Sequence, residues 1–271
     1  MDRSDRVEQL QKLNAMLLKD LPQYAAEAQA FPLEETAQRR LLRSLMNLRP
    51  PLPLQKDFLA LQDALLSRER EEKRIVSALS LPCTAADPRL CLWRGDITRL
   101  AADAIVNAAN SALLGCFIPC HGCIDNAIHS AAGLQLRDAC HRLMQAQGRE
   151  EPVGGAKITP GYNLPARFVL HTVGPIVTGA VGARHRAQLA SCYRSCLTLA
   201  AQQGLESVAF CCISTGEFHF PAPEAAQIAV TAVKEFLQDQ TSVRKVIFNV
   251  YKKTDADLYR SLLGPDRAPE S

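Results

Sequence analysis

From residue 91 onward the chain alternates short apolar runs with longer amphipathic stretches, and this alternation limits the possible folds more than any other feature. The apolar runs are rich in branched residues and short enough to be buried strands; they lie at residues 90–93, 104–106, 168–171, 208–212 and 246–250. Apolar positions at helical spacing lie around residues 128–143 and 225–236, and Pro223 suits the first turn of the second helix. The pattern predicts an α/β domain whose mostly parallel sheet is covered by helices on both faces, with ligands bound outside the carboxyl ends of the strands.

The first 75 residues have a helical rhythm instead. Apolar side chains recur at helical spacing, and prolines interrupt the helices because proline lacks the amide proton that a helix interior needs. The recurring positions are Val7, Leu10, Leu13, Leu17 and Leu18, then Leu41, Leu42, Leu45 and Leu48. A chain of 271 residues can bury one sizeable core and carry a smaller annex. We predict a helical extension over residues 1–75, a linker over 76–90 and the main domain over 91–265.

Charge and apolarity limit the partners. The chain has 31 Lys and Arg against 28 Asp and Glu, and a net charge of +3 is too small and too dispersed for a nucleic-acid surface. The first residues are charged, unlike a signal peptide, and no apolar run approaches the roughly 18 residues of a membrane span. Ten cysteines without an export signal favour reduced thiols or metal ligation. We expect a cytoplasmic protein with neither nucleic acid nor membrane as a partner.

A compact loop after the second predicted strand carries Cys116, His121 and Cys123. Zinc accepts two thiolates and an imidazole at about 2.0 to 2.3 Å, and three protein ligands leave a fourth position open for a substrate oxygen or water. Two other interpretations stay open: Cys120 completes a closed structural site, or the thiols bind no metal. The remaining seven cysteines lack partner spacing and are predicted to fill the core; they are Cys83, Cys91, Cys140, Cys192, Cys196, Cys211 and Cys212.

Four further positions bear on chemistry. Asp125 lies where the next helix begins, so it could cap the helix, orient an attacking water, or do both. His129, one turn later, is expected to be a satisfied core residue. The Ser-Thr-Gly turn at 214–216 could present amides and hydroxyls to a phosphate, and Asp96 could bind an exocyclic amine or cap a turn.

Together these loops resemble the macrodomain family, the modules that bind ADP-ribose. The resemblance covers roughly residues 91–263 and includes Gly95-Asp96-Ile97-Thr98, Val106-Asn107-Ala108-Ala109-Asn110, Ile124-Asp125-Asn126-Ala127-Ile128-His129, Thr159-Pro160-Gly161-Tyr162-Asn163-Leu164-Pro165, His171-Thr172-Val173-Gly174-Pro175 and Ile213-Ser214-Thr215-Gly216. Ordinary macrodomains have a glycine run where this chain has Gly115-Cys116-Phe117-Ile118-Pro119-Cys120-His121-Gly122-Cys123. That insertion, like the helical extension, looks like the zinc-containing branch of microbial protein-ADP-ribose hydrolases. The implied fold is a three-layer α/β/α macrodomain with a mixed, mostly parallel central sheet.

The resemblance also implies roles for individual residues. Asp96 would contact the adenine amine with Ile97 close by, and Asn110 would reach the modified ribose. One zinc ion on Cys116, His121 and Cys123 would lie against that ribose. The remaining ADP-ribose contacts would come from Ile124 and Asp125 in the catalytic loop and from Ser214, Thr215, Gly216, Glu217 and Phe218 around the diphosphate and ribose. Tyr251 would stack on adenine, or it is an ordinary aromatic at a strand end.

We therefore expect a zinc-dependent hydrolase that removes mono-ADP-ribose from a modified protein side chain, with Asp125 and Asn110 as its catalytic pair. One alternative is a non-catalytic reader of ADP-ribosylated proteins with a structural zinc, against which the retained Asp125 and Asn110 argue. Another is a deacetylase of O-acetyl-ADP-ribose, which would share the pocket and differ only in the leaving group.

Overall fold

The secondary structure begins with helices and changes to alternating strands and helices after residue 75. The computed structural model describes residues 3–85 and 87–267, so residues 1, 2 and 86 of the predicted extension and linker lie outside the described residues. The elements, in chain order, are α1 (Arg3–Asp20), α2 (Ala25–Gln29), α3 (Glu35–Leu48), α4 (Lys56–Glu72), β1 (Val76–Ser77), β2 (Leu90–Arg94), β3 (Leu100–Ala101), β4 (Ala104–Ala108), α5 (Ile124–Ala132), α6 (Leu134–Gln147), β5 (Ala156–Pro160), β6 (Phe168–Thr172), α7 (Ala183–Gln202), β7 (Ser207–Phe210), α8 (Ala222–Phe236), β8 (Lys245–Val250) and α9 (Lys253–Leu263).

A six-stranded sheet in the order β2-β8-β7-β4-β6-β5 forms the centre of the main domain. Only the β5–β6 pairing of this sheet is antiparallel, so the predicted mixed, mostly parallel sheet is confirmed. All five predicted strands are present, although the run at 208–212 leaves the sheet after Phe210. The sequence pattern missed β5 because this edge strand is only partly buried and carries no continuous apolar run. Helices α5, α6, α7 and α9 pack against the strands, and α8 packs against α7 and α9.

The N-terminal helices enclose an apolar core of their own. Leu10, Leu13, Leu42 and Leu65 are fully buried there, and Leu134 of α6 joins the same cluster. Residues 76–90 return to the main domain, where β1 pairs with β3 in parallel. The boundaries at residues 75 and 90 stay predictions. Within the described part of the chain, no helix has the length and apolarity needed to cross a bilayer.

The parallel strands bring the predicted site residues to one edge of the sheet. Asn107 is the penultimate residue of β4, Asp96 follows β2 by two residues, and Tyr251 follows β8 directly. The segment containing residues 214–218 begins after β7. Because the carboxyl ends of parallel strands share an edge, these four connections face one region, as expected for an α/β ligand site.

The helix predicted around residues 128–143 is two helices, separated at Gly133. Gly133 has φ +95° and ψ 174°, a conformation that residues with a Cβ rarely adopt. Gln62 of α4 occupies the break, and its Oε1 accepts a 2.9 Å hydrogen bond from the Leu134 amide. The helical period continues across this break, so the sequence pattern alone did not reveal it.

We predict that Gly133→Ala lowers the free energy of unfolding by about 2 kcal/mol, because it combines a strained backbone with steric overlap. A Cβ at this position would lie 2.6 Å from Gln62 Nε2 and 2.7 Å from Gln135 Oε1. The control is Gly148→Ala, also at positive φ but with no atom within 4 Å of the added carbon, for which we expect about 1 kcal/mol. Urea denaturation measures both; equal losses would contradict the proposed packing of α4 against the break.

Candidate active site and metal centre

The side chains of Cys116, His121 and Cys123 converge in the loop between β4 and α5. Their two sulfurs and one imidazole nitrogen lie within 4.8 Å of one another, and Cys116 Sγ is 3.7 Å from His121 Nδ1. Zinc binds sulfur at about 2.3 Å and nitrogen at about 2.0 to 2.1 Å, so the ligand atoms of one ion lie within about 4 Å of each other. The donor types and their spacing therefore fit a single zinc ion.

The Cys120 thiol lies apart from this group, on the side facing α3. Its Sγ is 3.3 Å from Ser44 Oγ and 3.6 Å from the Arg40 carbonyl oxygen, and the residue itself has φ +53°. The conformation directs the sulfur toward the helical extension. The arrangement therefore favours three protein ligands over the four-ligand alternative.

Cys123, rather than Asp125, occupies the N-cap of α5. Its Sγ accepts a 3.4 Å hydrogen bond from the Asn126 amide. Burial, with smaller contributions from the neighbouring Cys116 and Asp125, raises the pKa of the Cys123 thiol to about 12, although the hydrogen bond from the Asn126 amide acts in the opposite direction. The N-cap interpretation of Asp125 is thus wrong, because the cap lies two residues earlier. Asp125 lies in the first turn of the helix, with its carboxylate buried.

Asp125 is held by two asparagine amides. Asn107 Nδ2 donates to Asp125 Oδ1 at 2.8 Å, and Asn110 Nδ2 lies 3.4 Å from Asp125 Oδ2. Burial raises the pKa of Asp125 to about 6, although the Asn107 hydrogen bond and the charge of Arg137 act in the opposite direction. The two residues predicted to form the catalytic pair, Asp125 and Asn110, are therefore neighbours. Asn110 also donates to the Gly115 carbonyl at 3.0 Å. It thereby links Asp125 to residues 114–123, the loop that carries the three candidate ligands and is called the metal-ligand loop below.

A buried chain of polar groups lies behind Asp125, and the sequence pattern did not predict it. Asn107 Nδ2 lies 3.2 Å from His171 Nδ1, and His171 Nε2 lies 2.9 Å from Thr159 Oγ1. Burial lowers the pKa of His171 to about 3, so the ring is neutral. Because an amide nitrogen can only donate, His171 Nδ1 accepts and the Nε2 proton is donated to Thr159. The signal was Asn107 itself, a polar residue directly after a predicted buried strand; the structure extends that strand to Ala108, so the buried amide requires partners.

His129 is buried, as expected, but it is not satisfied. Neither ring nitrogen has a hydrogen-bond partner among the described residues, and Nε2 lies 3.5 Å from Asp125 Oδ1. Burial lowers the pKa of His129 well below its usual value, so this contact joins a neutral ring to the carboxyl group and is not an ion pair. The ring packs against Gly115, where a Cβ would lie 2.9 Å from His129 Cγ.

The loop after β7 approaches the metal-ligand loop from the other side. Glu217 Oε1 is 3.8 Å from His121 Nε2, the nitrogen that faces away from Cys116. Ser214, at φ +64°, is buried, and its hydroxyl has no partner among the described residues. Thr215 instead donates its hydroxyl to the Cys212 carbonyl at 3.0 Å. Gly216 and Glu217 are exposed, and Phe218 accepts a 2.9 Å backbone hydrogen bond from Val177.

The remaining predicted contact residues, those at the adenine end and Ile124 of the catalytic loop, are more dispersed. Asp96 Oδ1 accepts hydrogen bonds from the Thr98 amide and hydroxyl, so it caps the short turn Ile97–Arg99. Ile97 is packed in the main core, Ile124 is half-buried at the start of α5, and Tyr251 is 80 % exposed. A cavity of about 140 Å³ lies between the extension and α5, apart from Asp125 and the metal-ligand side chains; its lining comprises Arg39, Arg43, Leu66, Glu69, Arg70, Lys73, Asp96, Thr98, Ala127, Ser130, Ala131, Asn163 and Leu164.

The sequence of this chain is similar to those of several known proteins. The family model described as the macro domain matches residues 106–229. A protein-ADP-ribose hydrolase of Treponema medium is 50 % identical over 249 residues, which are 91 % of this chain and 95 % of the relative. A protein-ADP-ribose hydrolase of Staphylococcus aureus strain MRSA252 is 48 % identical over 227 residues, 83 % of this chain and 85 % of the relative.

Solved structures agree in fold. The Trypanosoma brucei macrodomain in complex with ADP-ribose has a TM-score of 0.64 and 33 % identity, and the match covers 82 % of this chain and 95 % of that one. The Oceanobacillus iheyensis macrodomain with ADP has a TM-score of 0.58 and 38 % identity, over 64 % of this chain and 88 % of that one.

We predict that Thr159→Val lowers the free energy of unfolding by about 1 to 3 kcal/mol, because the isosteric change removes the hydroxyl 2.9 Å from His171 Nε2 and leaves the buried proton with only the weak acceptor Cys140 Sγ at 3.6 Å. Thr159→Ser keeps the hydroxyl and serves as the matched control. Guanidinium denaturation compares the two variants with the parent. If valine and serine cost the same, the hydroxyl is not the acceptor and the inferred tautomer of His171 is wrong.

Proposed function

The chain belongs to the macrodomain family, and we propose that it is a hydrolase that removes mono-ADP-ribose from a modified protein side chain. The observation that carries the proposal is the buried Asp125 carboxyl group, fixed by Asn107 and Asn110 beside a loop with metal-ligand geometry. Burying a carboxyl group costs free energy unless its polar atoms are bonded. A module that only binds a nucleotide has less use for such a group than an enzyme that moves a proton.

The relatives support the same class of reaction. Two proteins about half identical to this chain, over most of its length, carry the name protein-ADP-ribose hydrolase. The proposed substrate is a protein with mono-ADP-ribose on an acidic or similar side chain. Hydrolysis breaks the bond between the distal ribose and that side chain: the hydroxyl of water goes to one fragment and its proton to the other, and the products are free ADP-ribose and the unmodified residue.

Asp125 would act on the water. Asn107 donates a short hydrogen bond to Oδ1, whereas Asn110 donates only a long one to Oδ2, so Oδ2 keeps a lone pair to accept the proton of an attacking water and return it to the leaving group. Asn110 would hold the distal ribose in register, because its Oδ1 is buried and has no partner among the described residues. The amide of Asn107 fixes the carboxylate from behind, so the proton acceptor does not have to reorient during the reaction.

We propose that Cys116, His121 and Cys123 hold one zinc ion. When bound, it would supply Lewis-acid polarisation of a ribose hydroxyl or water. Glu217, close to His121 Nε2, would orient the imidazole, as carboxylates commonly do for histidine ligands. The loop that precedes α5 thus places metal ligands and the Asp125 carboxyl group within a few residues of each other.

The remaining contacts would hold the nucleotide. The free Ser214 hydroxyl and the exposed backbone of Gly216 are suited to the diphosphate, and Glu217 and Phe218 to the adjoining ribose. Ile97 would border the adenine end, with Asp96 on the adenine amine and Tyr251 against the ring, and Ile124 would line the catalytic loop beside Asp125. The ten free cysteines favour a reducing compartment, and we place the reaction in the cytoplasm.

We predict that Asp125→Asn lowers kcat for release of ADP-ribose from an acidic side chain by about 100-fold or more, because the amide cannot accept the proton. The affinity for free ADP-ribose should stay within a few-fold of the parent, measured by titration calorimetry. Asp257→Asn, on the exposed face of α9, is the control. A parent that binds ADP-ribose but never releases it from protein would be a reader, and one that releases only acetate from O-acetyl-ADP-ribose would be a deacetylase; either result refutes the proposal.

Metal analysis gives a separate prediction. The purified parent should contain about one zinc ion per chain, and Cys123→Ser should lose it because serine keeps the helix cap but is a poor zinc ligand. Cys120→Ser should retain the zinc, since the Cys120 thiol faces α3. Loss of zinc from both variants would instead indicate a closed four-ligand site.

A further inference from the structure

We infer that helix α3 of the N-terminal extension is a positioning element for the metal-ligand loop, and that it acts through Arg43 and Asn47. The inference rests on the proposed function only in that the loop is the one assigned there to zinc. The role of the extension is then to fix the backbone of residues 114–123 before any ligand binds.

The loop needs such support because it satisfies little of its own backbone: within residues 114–123, one backbone hydrogen bond forms, from the His121 amide to the Ile118 carbonyl at 3.2 Å. Residues 114–123, all of them described, form neither helix nor strand. Irregular backbone that is partly buried must find partners elsewhere. Five side chains provide them: Arg137 to the Leu114 carbonyl, Asn110 to the Gly115 carbonyl, Asn126 to the Ile118 carbonyl, Asn47 to the Cys120 amide and Arg43 to the His121 carbonyl.

Asn47 of α3 binds both the loop and helix α5. It is 1 % exposed; its Oδ1 accepts from the Cys120 amide at 2.9 Å, and its Nδ2 donates to Ser130 Oγ on α5 at 3.1 Å. Cys120 has φ +53°, a left-handed conformation that a non-glycine residue keeps only when its surroundings enforce it. The Asn47 hydrogen bond is one such restraint, and the resulting turn lies directly before His121.

Arg43 holds the backbone of a metal ligand. Its Nη2 donates to the His121 carbonyl at 3.2 Å, while Nε and Nη2 donate to Asn126 Oδ1 at 3.1 and 2.7 Å. Asn126 in turn donates to the Ile118 carbonyl at 3.0 Å. One guanidinium therefore fixes both ends of the turn at 118–121, directly and through Asn126. A lysine could not reproduce this two-armed contact.

Arg137 anchors α3 at its carboxyl end. The guanidinium is buried and donates from Nη1 to the Met46 and Asn47 carbonyls at 2.8 and 3.0 Å, and from Nε to the Leu114 carbonyl at 2.7 Å. It also lies 4.4 Å from the centroid of the Phe117 ring. A cation at a helix carboxyl terminus is electrostatically favourable. The end of α3 and the beginning of the loop are thus fixed to the same side chain.

The test replaces Arg43 and measures metal retention. Partners in the outer shell of a metal site typically change affinity by about 10- to 100-fold, so Arg43→Ala should release zinc to a chromogenic chelator about 10-fold faster or more. Arg40→Ala is the matched control: it removes the same charge from the same helix, its side chain is exposed, and its backbone carbonyl stays in place beside Cys120. Release from Arg43→Ala at the rate of the parent and the control would overturn the inference.

A second readout needs no metal. In the metal-free full chain, hydrogen exchange of the segment 114–124 should be faster in Arg43→Ala and Asn47→Ala than in the parent, while exchange in α1 stays at the parent's rate. Unchanged exchange in the loop, or equal acceleration throughout the extension, would overturn a positioning role. If the parent contains no zinc, the cofactor proposal fails, but this exchange experiment still decides the role of α3.

Discussion

The hydrogen bonding of one irregular loop, residues 114–123, is the constraint on which the rest of the site depends. The loop packs against α3 of the extension and against α5 and α6 of the main domain, and unpaired backbone groups are costly where it is partly buried by them. Side chains from α3, α5 and α6 bond to its backbone, and the loop can then direct Cys116, His121 and Cys123 toward one another while Cys120 faces away. The convergence of these three side chains is therefore a product of the scaffold, and the sequence of the loop supplies the thiols and the imidazole.

Two opposing effects act on the charge of the Asp125 carboxyl group. The first turn of a helix favours a carboxylate through the helix dipole, whereas burial disfavours the charge. Burial prevails, and the pKa of Asp125 rises to about 6 despite the hydrogen bond from Asn107. Behind that bond, His171 and Thr159 continue a polar chain across β4, β6 and β5, so the orientation of the carboxyl group is fixed by the register of the sheet.

The sequence predicted those features of the fold and the site that depend on residues close together in the chain. Continuous apolar runs identified the buried parallel strands, and the spacing of three side chains within eight residues identified the candidate metal ligands. The pattern could not show that Asn107 meets His171, because these residues are 64 positions apart and are joined only by the β4–β6 register. The contacts of Arg43 and Asn47 with the loop span more than 70 positions and depend on how the extension docks. Gly133 interrupts a helical period that continues on both sides, so the break required tertiary information from Gln62.

We propose that the loop presents three protein ligands to one zinc ion and leaves the fourth position to a small oxygen ligand. X-ray absorption at the zinc edge of the purified protein tests this most directly, because sulfur scatterers at about 2.3 Å are distinguished from lighter atoms at about 2.0 to 2.1 Å. We expect two sulfurs and two light atoms per zinc, the light atoms being the imidazole nitrogen and the oxygen ligand. The oxygen should be replaced or shifted when ADP-ribose is added. A third sulfur in the zinc shell, or a purified protein without zinc, would contradict it.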